Sequence, residues 1–114
     1  MMLPSLDQLR VDQAKIVDYR LSEANSRGKS TFFLGFGFRP ENWIALAAAV
    51  KAHARDNPVA AVIDSAWGTR YSIEGEMNTP DKRQPRPKVR TVWIIETGST
   101  EPRLITAYPL QEAS

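Results

Sequence analysis

A chain of 114 residues with no cysteine and a formal net charge of +2 has room for one hydrophobic core and not for two. The missing thiols exclude disulfides, cysteine-ligated metals and thiolate nucleophiles and suit a reducing cytoplasm, while the near-neutral balance excludes binding to nucleic acid through bulk charge. The start, Met1-Met2-Leu3-Pro4-Ser5-Leu6-Asp7, lacks the basic and apolar parts of an export signal, and no run approaches the ~20 apolar residues of a membrane span. The expectation is one cytoplasmic domain over residues 1–114, with a helical part at about 5–57 and a sheet part at about 59–110.

Helical signals come first. Val11, Ala14, Ile16, Val17 and Leu21 fit a helix over residues 10–21, ending before Asn25-Ser26-Arg27-Gly28. Phe32-Phe33-Leu34, closed by Gly35-Phe36-Gly37, predicts a further turn or two over residues 29–34. The clearest helix follows, with Pro40 at its first position, Glu41 against the positive end of the dipole, and Lys51, His53 and Arg55 in its last turns before Asn57-Pro58. Its buried stripe is Trp43, Leu46, Ala47, Val50 and Ala54, spaced three and four apart.

After Pro58 the period changes to two, which predicts strands near 59–65, 69–77, 88–96 and 102–108. Trp67-Gly68 turns the first pair, a Pro-rich loop from Asn78 to Pro87 joins the second and third, and Gly98-Ser99 turns the last. Helices followed by strands give an α+β fold: N-terminal helices packed on one face of a four-stranded antiparallel meander. In the second strand Tyr71, Ile73 and Met77 face one way and Arg70, Ser72, Glu74 and Glu76 the other. Thr91 and Trp93 are expected inward, with Arg90 outward beside Glu74. If Ile105 and Ala107 also point inward, Thr106 and Tyr108 join Arg90, Arg70 and Glu74 on the open face.

That open face is the constellation with catalytic potential. Arginines stabilise a developing phosphorane, and a carboxylate or phenol within reach moves a proton. Such a set suits RNA cleavage by its own 2′-hydroxyl, which requires neither metal nor cofactor. Glu74, Arg90, Thr106 and Tyr108 are the candidate catalytic residues, and Lys29 and Arg70 candidate phosphate contacts. The plainer reading of the same residues is cross-strand pairing. Between Asp81 and Arg90, Lys82, Arg83, Arg86, Lys88 and Arg90 face a single acid. This basic segment reads either as a phosphate-binding loop or as a solvated one.

Other motifs carry less. Gly28-Lys29-Ser30 imitates the end of a P-loop, but Glu23 stands where the first glycine belongs. Gly35-Phe36-Gly37 has no βαβ unit around it. His53 is the sole histidine, so a metal site of several matching ligands is not expected. A partly buried or dipole-compensating role fits it better than catalysis. A Ser-His-Asp arrangement would require it to meet Ser65 or Ser72 across the core.

The set Asn25-Ser26-Arg27-Gly28-Lys29-Ser30, Phe32-Phe33, Gly35-Phe36, Trp43, Gly68, Tyr71, Thr91-Val92-Trp93 and Leu104-Ile105-Thr106-Ala107-Tyr108-Pro109 resembles an uncharacterised bacterial family. Its members are small stand-alone proteins or C-terminal domains of secreted toxin-like proteins. The Thr-Ala-Tyr-Pro ending is similar to endings in the barnase-EndoU-colicin-RelE-like group of ribonuclease toxins. The resemblance implies a ribonuclease-like fold with Lys29, Arg90, Thr106 and Tyr108 as the positions to carry over. This chain departs from barnase in having no histidine in its strands.

Three readings stay open: a metal-independent endoribonuclease of toxin type with a cognate inhibitor protein, a non-catalytic module holding RNA or an acidic protein, and a scaffold subunit with Trp67, Phe36 and Phe38 as its exposed apolar patch.

Overall fold

A computed structural model describes residues 1–12, 43–79 and 86–110. Its long helix, α1, spans Trp43–Asp56. Leu46, Ala47, Ala49, Val50, His53 and Ala54 are buried along it, and Trp43 packs half-buried against the core. The stop has a visible cause: the Asn57 side-chain Nδ2 donates to the His53 carbonyl at 3.0 Å, and Pro58 lacks the N–H that another turn would need.

The expectation of N-terminal helices requires correction. Among the described residues α1 is the one long helix, and it lies mid-chain. The N-terminal residues form only a 3₁₀ turn, Leu6–Gln8, and then join the sheet, where Arg10 bridges Arg103 in parallel. The Arg10 N–H donates to the Pro102 carbonyl at 2.9 Å, and its carbonyl accepts from the Leu104 N–H at 3.0 Å. These backbone groups find their partners in the sheet rather than in a helical ladder. Leu3 and Leu9, both buried, anchor the segment from either side of the turn. Most of the expected helix at 10–21, all of that at 29–34, and Pro40 and Glu41 lie outside the described residues.

The sheet runs β1 (Val59–Ser65), β2 (Gly68–Glu76), β3 (Lys88–Glu96) and β4 (Arg103–Pro109) in spatial order 1-2-3-4, antiparallel throughout. This is the expected meander, and α1 packs on the face formed by β2 and β3. Ile73, Thr91, Trp93, Leu104 and Ala107 fill that side with Leu46, Val50 and Ala54. Trp93, the largest fully buried side chain, donates its indole N–H to the Thr91 hydroxyl at 3.0 Å.

Two local expectations change. The first turn is Ala66–Trp67, and Gly68 opens β2 opposite Ser65. At φ 147° Gly68 holds a backbone that favours glycine, and a Cβ there would meet the Ile95 carbonyl oxygen and come within 2.7 Å of Glu96 Cα. Gly68→Ala is therefore expected to cost ~1–3 kcal/mol, read as a lowered urea midpoint at constant slope.

The second change is a bulge in β4. Val92 pairs with Thr106 and Trp93 with Leu104, so Ile105 is the extra residue. Leu104, 1% exposed, takes the inward place expected for Ile105, which is half-buried. A bulge inserts one residue opposite none and shifts the phase of the strand before it. Thr106, Ala107 and Tyr108 keep their expected facing.

Candidate functional site

Register alone assembles the site. Glu74 pairs with Arg90, and Arg90 with Tyr108, so three side chains from β2, β3 and β4 form one row across the sheet, on the face away from α1. Their side chains meet. Arg90 Nε donates to Glu74 Oε1 at 3.1 Å, Nη2 donates to the same oxygen, and Nη1 donates to the Tyr108 hydroxyl oxygen at 2.8 Å. The guanidinium carbon also stands 5.5 Å from the Tyr108 ring centroid, within cation–π range. Glu74 first and Tyr108 second hold the Arg90 guanidinium more firmly in its charged form than usual.

Two consequences follow. Among the described residues three of Arg90's five N–H donors are engaged, which leaves two to meet a ligand. Both contacts to Glu74 fall on Oε1, and among the described residues no hydrogen bond reaches Oε2. With the side chains of Arg90 and Glu74 at 36% and 34% exposure, water or a substrate reaches both.

The neighbouring rows extend the surface. Thr106 sits one row along, level with Val92 and Ser72, ~7 Å from Tyr108 by strand rise. Arg70 is on the same face, exposed, but four residues from Glu74 in β2, ~13 Å away. It serves a different part of any extended ligand. On the other side Lys88 pairs with Glu76, and Arg86 is held by Glu76 through Nε at 3.0 Å and Nη2 at 2.8 Å and by Asn78 at 2.9 Å. Lys29, Lys82 and Arg83 lie outside the described residues.

Sequence reasoning missed Arg103. Regular alternation with Ile105 and Ala107 inward also points Arg103 inward, whereas the bulge brings it to the open face opposite Ile94, where it pairs with Glu96 at 2.8 Å. The signal was present: a buried arginine without a partner is costly, so the alternation had to slip before residue 103. Ile94, flanked by Arg70 and Arg103 in register, is buried at 6%.

Behind the row lies His53, 2% exposed. Its Nε2–H donates to the Val89 carbonyl at 2.8 Å and faces the Gly75 carbonyl at 3.2 Å, and its Nδ1 lies 3.0 Å from the Thr91 hydroxyl oxygen. The proton positions follow from the partners. Carbonyls only accept, so Nε2 carries the hydrogen; Trp93 already donates to Thr91, so the Thr91 hydroxyl gives its own proton to Nδ1. Burial lowers the His53 pKa below its ordinary value, partly offset by the two carbonyls and Asp56. The residue is a neutral structural hub that ties α1 to β2 and β3, rather than a dipole-compensating cation. Its partners are Thr91 and backbone groups, not Ser65 or Ser72.

A family model for a domain of unknown function, DUF6883, matches residues 2–111. The chain belongs to the DUF6883 family. No curated protein and no solved structure matches it. The DUF6883 match spans every element of the sheet and the whole of α1, so the Glu74–Arg90–Tyr108 row lies within the family's domain. Among the described residues no helix is long and apolar enough to cross a membrane, and no group of three or more metal-ligating side chains forms.

Proposed function

We propose that this domain is a metal-independent endoribonuclease of toxin type that acts on RNA in a bacterial cytoplasm and is held in check by a cognate inhibitor protein. The observation that carries the reading is the one-sided seat of Arg90 on Glu74 Oε1, with Tyr108 on its other side. It leaves Oε2 as a proton acceptor and two guanidinium N–H groups for a phosphate.

In this mechanism Glu74 Oε2 takes the proton of a ribose 2′-hydroxyl, whose oxygen forms a bond to the adjacent phosphorus. Arg90 stabilises the charge that builds on the non-bridging oxygens. As the bond from phosphorus to the 5′-oxygen breaks, the Tyr108 hydroxyl, which accepts from Arg90, protonates the leaving oxygen. The products are a 2′,3′-cyclic phosphate and a 5′-hydroxyl, and proton exchange with water returns Glu74 and Tyr108 to their starting forms. Thr106 contacts the substrate beside the reacting phosphate, while Arg70, Arg86 and Lys88 hold the chain on either side, and Lys29, Lys82 and Arg83 keep the phosphate-contact role expected of them from the sequence.

The test is incubation with varied RNAs, tRNA included, in the presence of EDTA. Fragments ending in 2′,3′-cyclic phosphate are expected, and Glu74→Gln should slow their formation by ~10²-fold or more. The same variant should lose no more than ~1 kcal/mol of stability, because the pair it breaks is exposed. RNA bound in a salt-dependent way yet left intact over hours would overturn catalysis and leave the chain as a binding module.

A further inference from the structure

We infer that β1 is a pairing edge for a second copy of this chain, so that two four-stranded sheets join into one eight-stranded antiparallel sheet. Every residue of β1 after Val59 is exposed, with Val62 at 46% and Ile63 at 60%, and Trp67 at the adjoining turn at 77%. On its outer side the strand pairs with no described strand, and alternate residues there present backbone N–H and C=O groups. Natural edges are normally blunted by lysine, proline or an inward charge. Val59-Ala60-Ala61-Val62-Ile63-Asp64-Ser65 holds neither lysine nor proline, and its one charge, Asp64, lies level with Thr69 on the helix side of the sheet. The opposite edge is met by the Arg10 segment along the start of β4, whereas on β1 the N-terminal segment reaches only Val59, whose N–H donates to the Met1 carbonyl at 2.7 Å.

Charge and register select another copy as the occupant. The irregularity between Val59 and Ala61 confines the flat part of the edge to Ala61–Ser65, whose midpoint is Ile63. A twofold axis through that point sets Ile63 against its twin, Val62 against Asp64, and Ala61 against Ser65. Asp64, the one charge in the strand, then never faces its own copy, and it already accepts a hydrogen bond from Thr69 Oγ1 at 2.9 Å. Because the axis stands perpendicular to the sheet, both helices fall on one side and both Glu74–Arg90–Tyr108 rows on the other. Ile63 and Arg70 are neighbours on that face, so the Arg70 side chains of both copies flank the join. This pairing stands whether or not the face cuts RNA.

The cysteine-free chain allows a direct test. The Cα atoms of two opposed residues lie ~4.5–5.5 Å apart in an antiparallel pair, inside the span a disulfide accepts. Ile63→Cys at about 10 μM should cross-link to a dimer under mild oxidation on the order of 100-fold faster than the exposed control Glu101→Cys, since paired thiols meet at an effective concentration of ~mM. Light scattering of the unmodified chain should give the mass of two copies, and Ile63→Lys the mass of one with an unchanged melting temperature. A monomer at high concentration, equal cross-linking of the two cysteine variants, a dimer that survives Ile63→Lys, or another polypeptide seated on the edge would each overturn the assignment.

Discussion

Arg90→Ala is expected to lower RNA cleavage by ~10²–10³-fold while the melting temperature barely moves. One side chain links the other two members of the row: without it Glu74 loses the donors on Oε1 and Tyr108 the Arg90 donor on its hydroxyl. The loss matches that of one preorganised donor to transition-state charge, ~10²–10³ in kcat. Stability is expected to change by ~1 kcal/mol or less, because a pair exposed at about a third of its surface is screened by water. Arg90→Lys should restore little, since an ammonium cannot serve both neighbours and a phosphate with a planar fork. The measurement is single-turnover cleavage beside a thermal melt for each variant. Full activity in Arg90→Ala would dismiss the row as a reaction centre, whereas lost activity that tracks lost folding would make Arg90 a structural strut.

The largest effect on stability is expected at His53. His53→Ala removes a ring that is 2% exposed and leaves the Thr91 hydroxyl and the Val89 and Gly75 carbonyls without it. A cavity together with stranded polar groups costs ~3–5 kcal/mol, to be read as a lowered denaturant midpoint. The same residue sets a pH dependence whose sign is fixed by its lowered pKa. As pH falls through ~6.5 the unfolded chain takes up a proton that the folded chain still refuses, so the unfolded state binds more protons and stability falls with pH. The contribution is complete above that pH and declines below it at up to ~1.4 kcal/mol per pH unit, until the folded histidine also titrates. His53→Gln, which keeps an amide in place of the ring but cannot titrate, should flatten that part of the profile between pH 7 and 5. An unflattened profile would assign the dependence to other groups.

Much of this architecture could be read from residue order, and the failures have physical causes. Strand limits were legible because Pro58, the Ala66-Trp67-Gly68 corner and Gly98 bracket runs of period two. The meeting of Glu74 with Arg90 was legible because a meander lays β2 beside β3 and alternation fixes their faces. The bulge at Ile105 was not, since an inserted residue leaves no mark in composition; only the awkward inward place of Arg103 signalled it. The tie from His53 to Val89 and Gly75 was hidden for a different reason, as its acceptors are carbonyls that every residue owns. Val62, on the helix side of the sheet, is exposed because α1 covers β2 and β3, and Ile63 is exposed on the opposite face beside Arg70. At the N-terminus, what precedes the expected helix is a short 3₁₀ turn followed by Arg10, whose backbone groups bond to Pro102 and Leu104 of the sheet, a pairing that no local spacing announces.

His53 also touches β3 on both sides of one residue, through the carbonyl of Val89 and the hydroxyl of Thr91. Arg90 is the residue between them. The guanidinium that stands in water is thus clamped at its root by a ring on the dry side of the sheet. The interior works as the jig in which the outer surface is aligned, and whatever loosens the helix loosens the aim of that arginine.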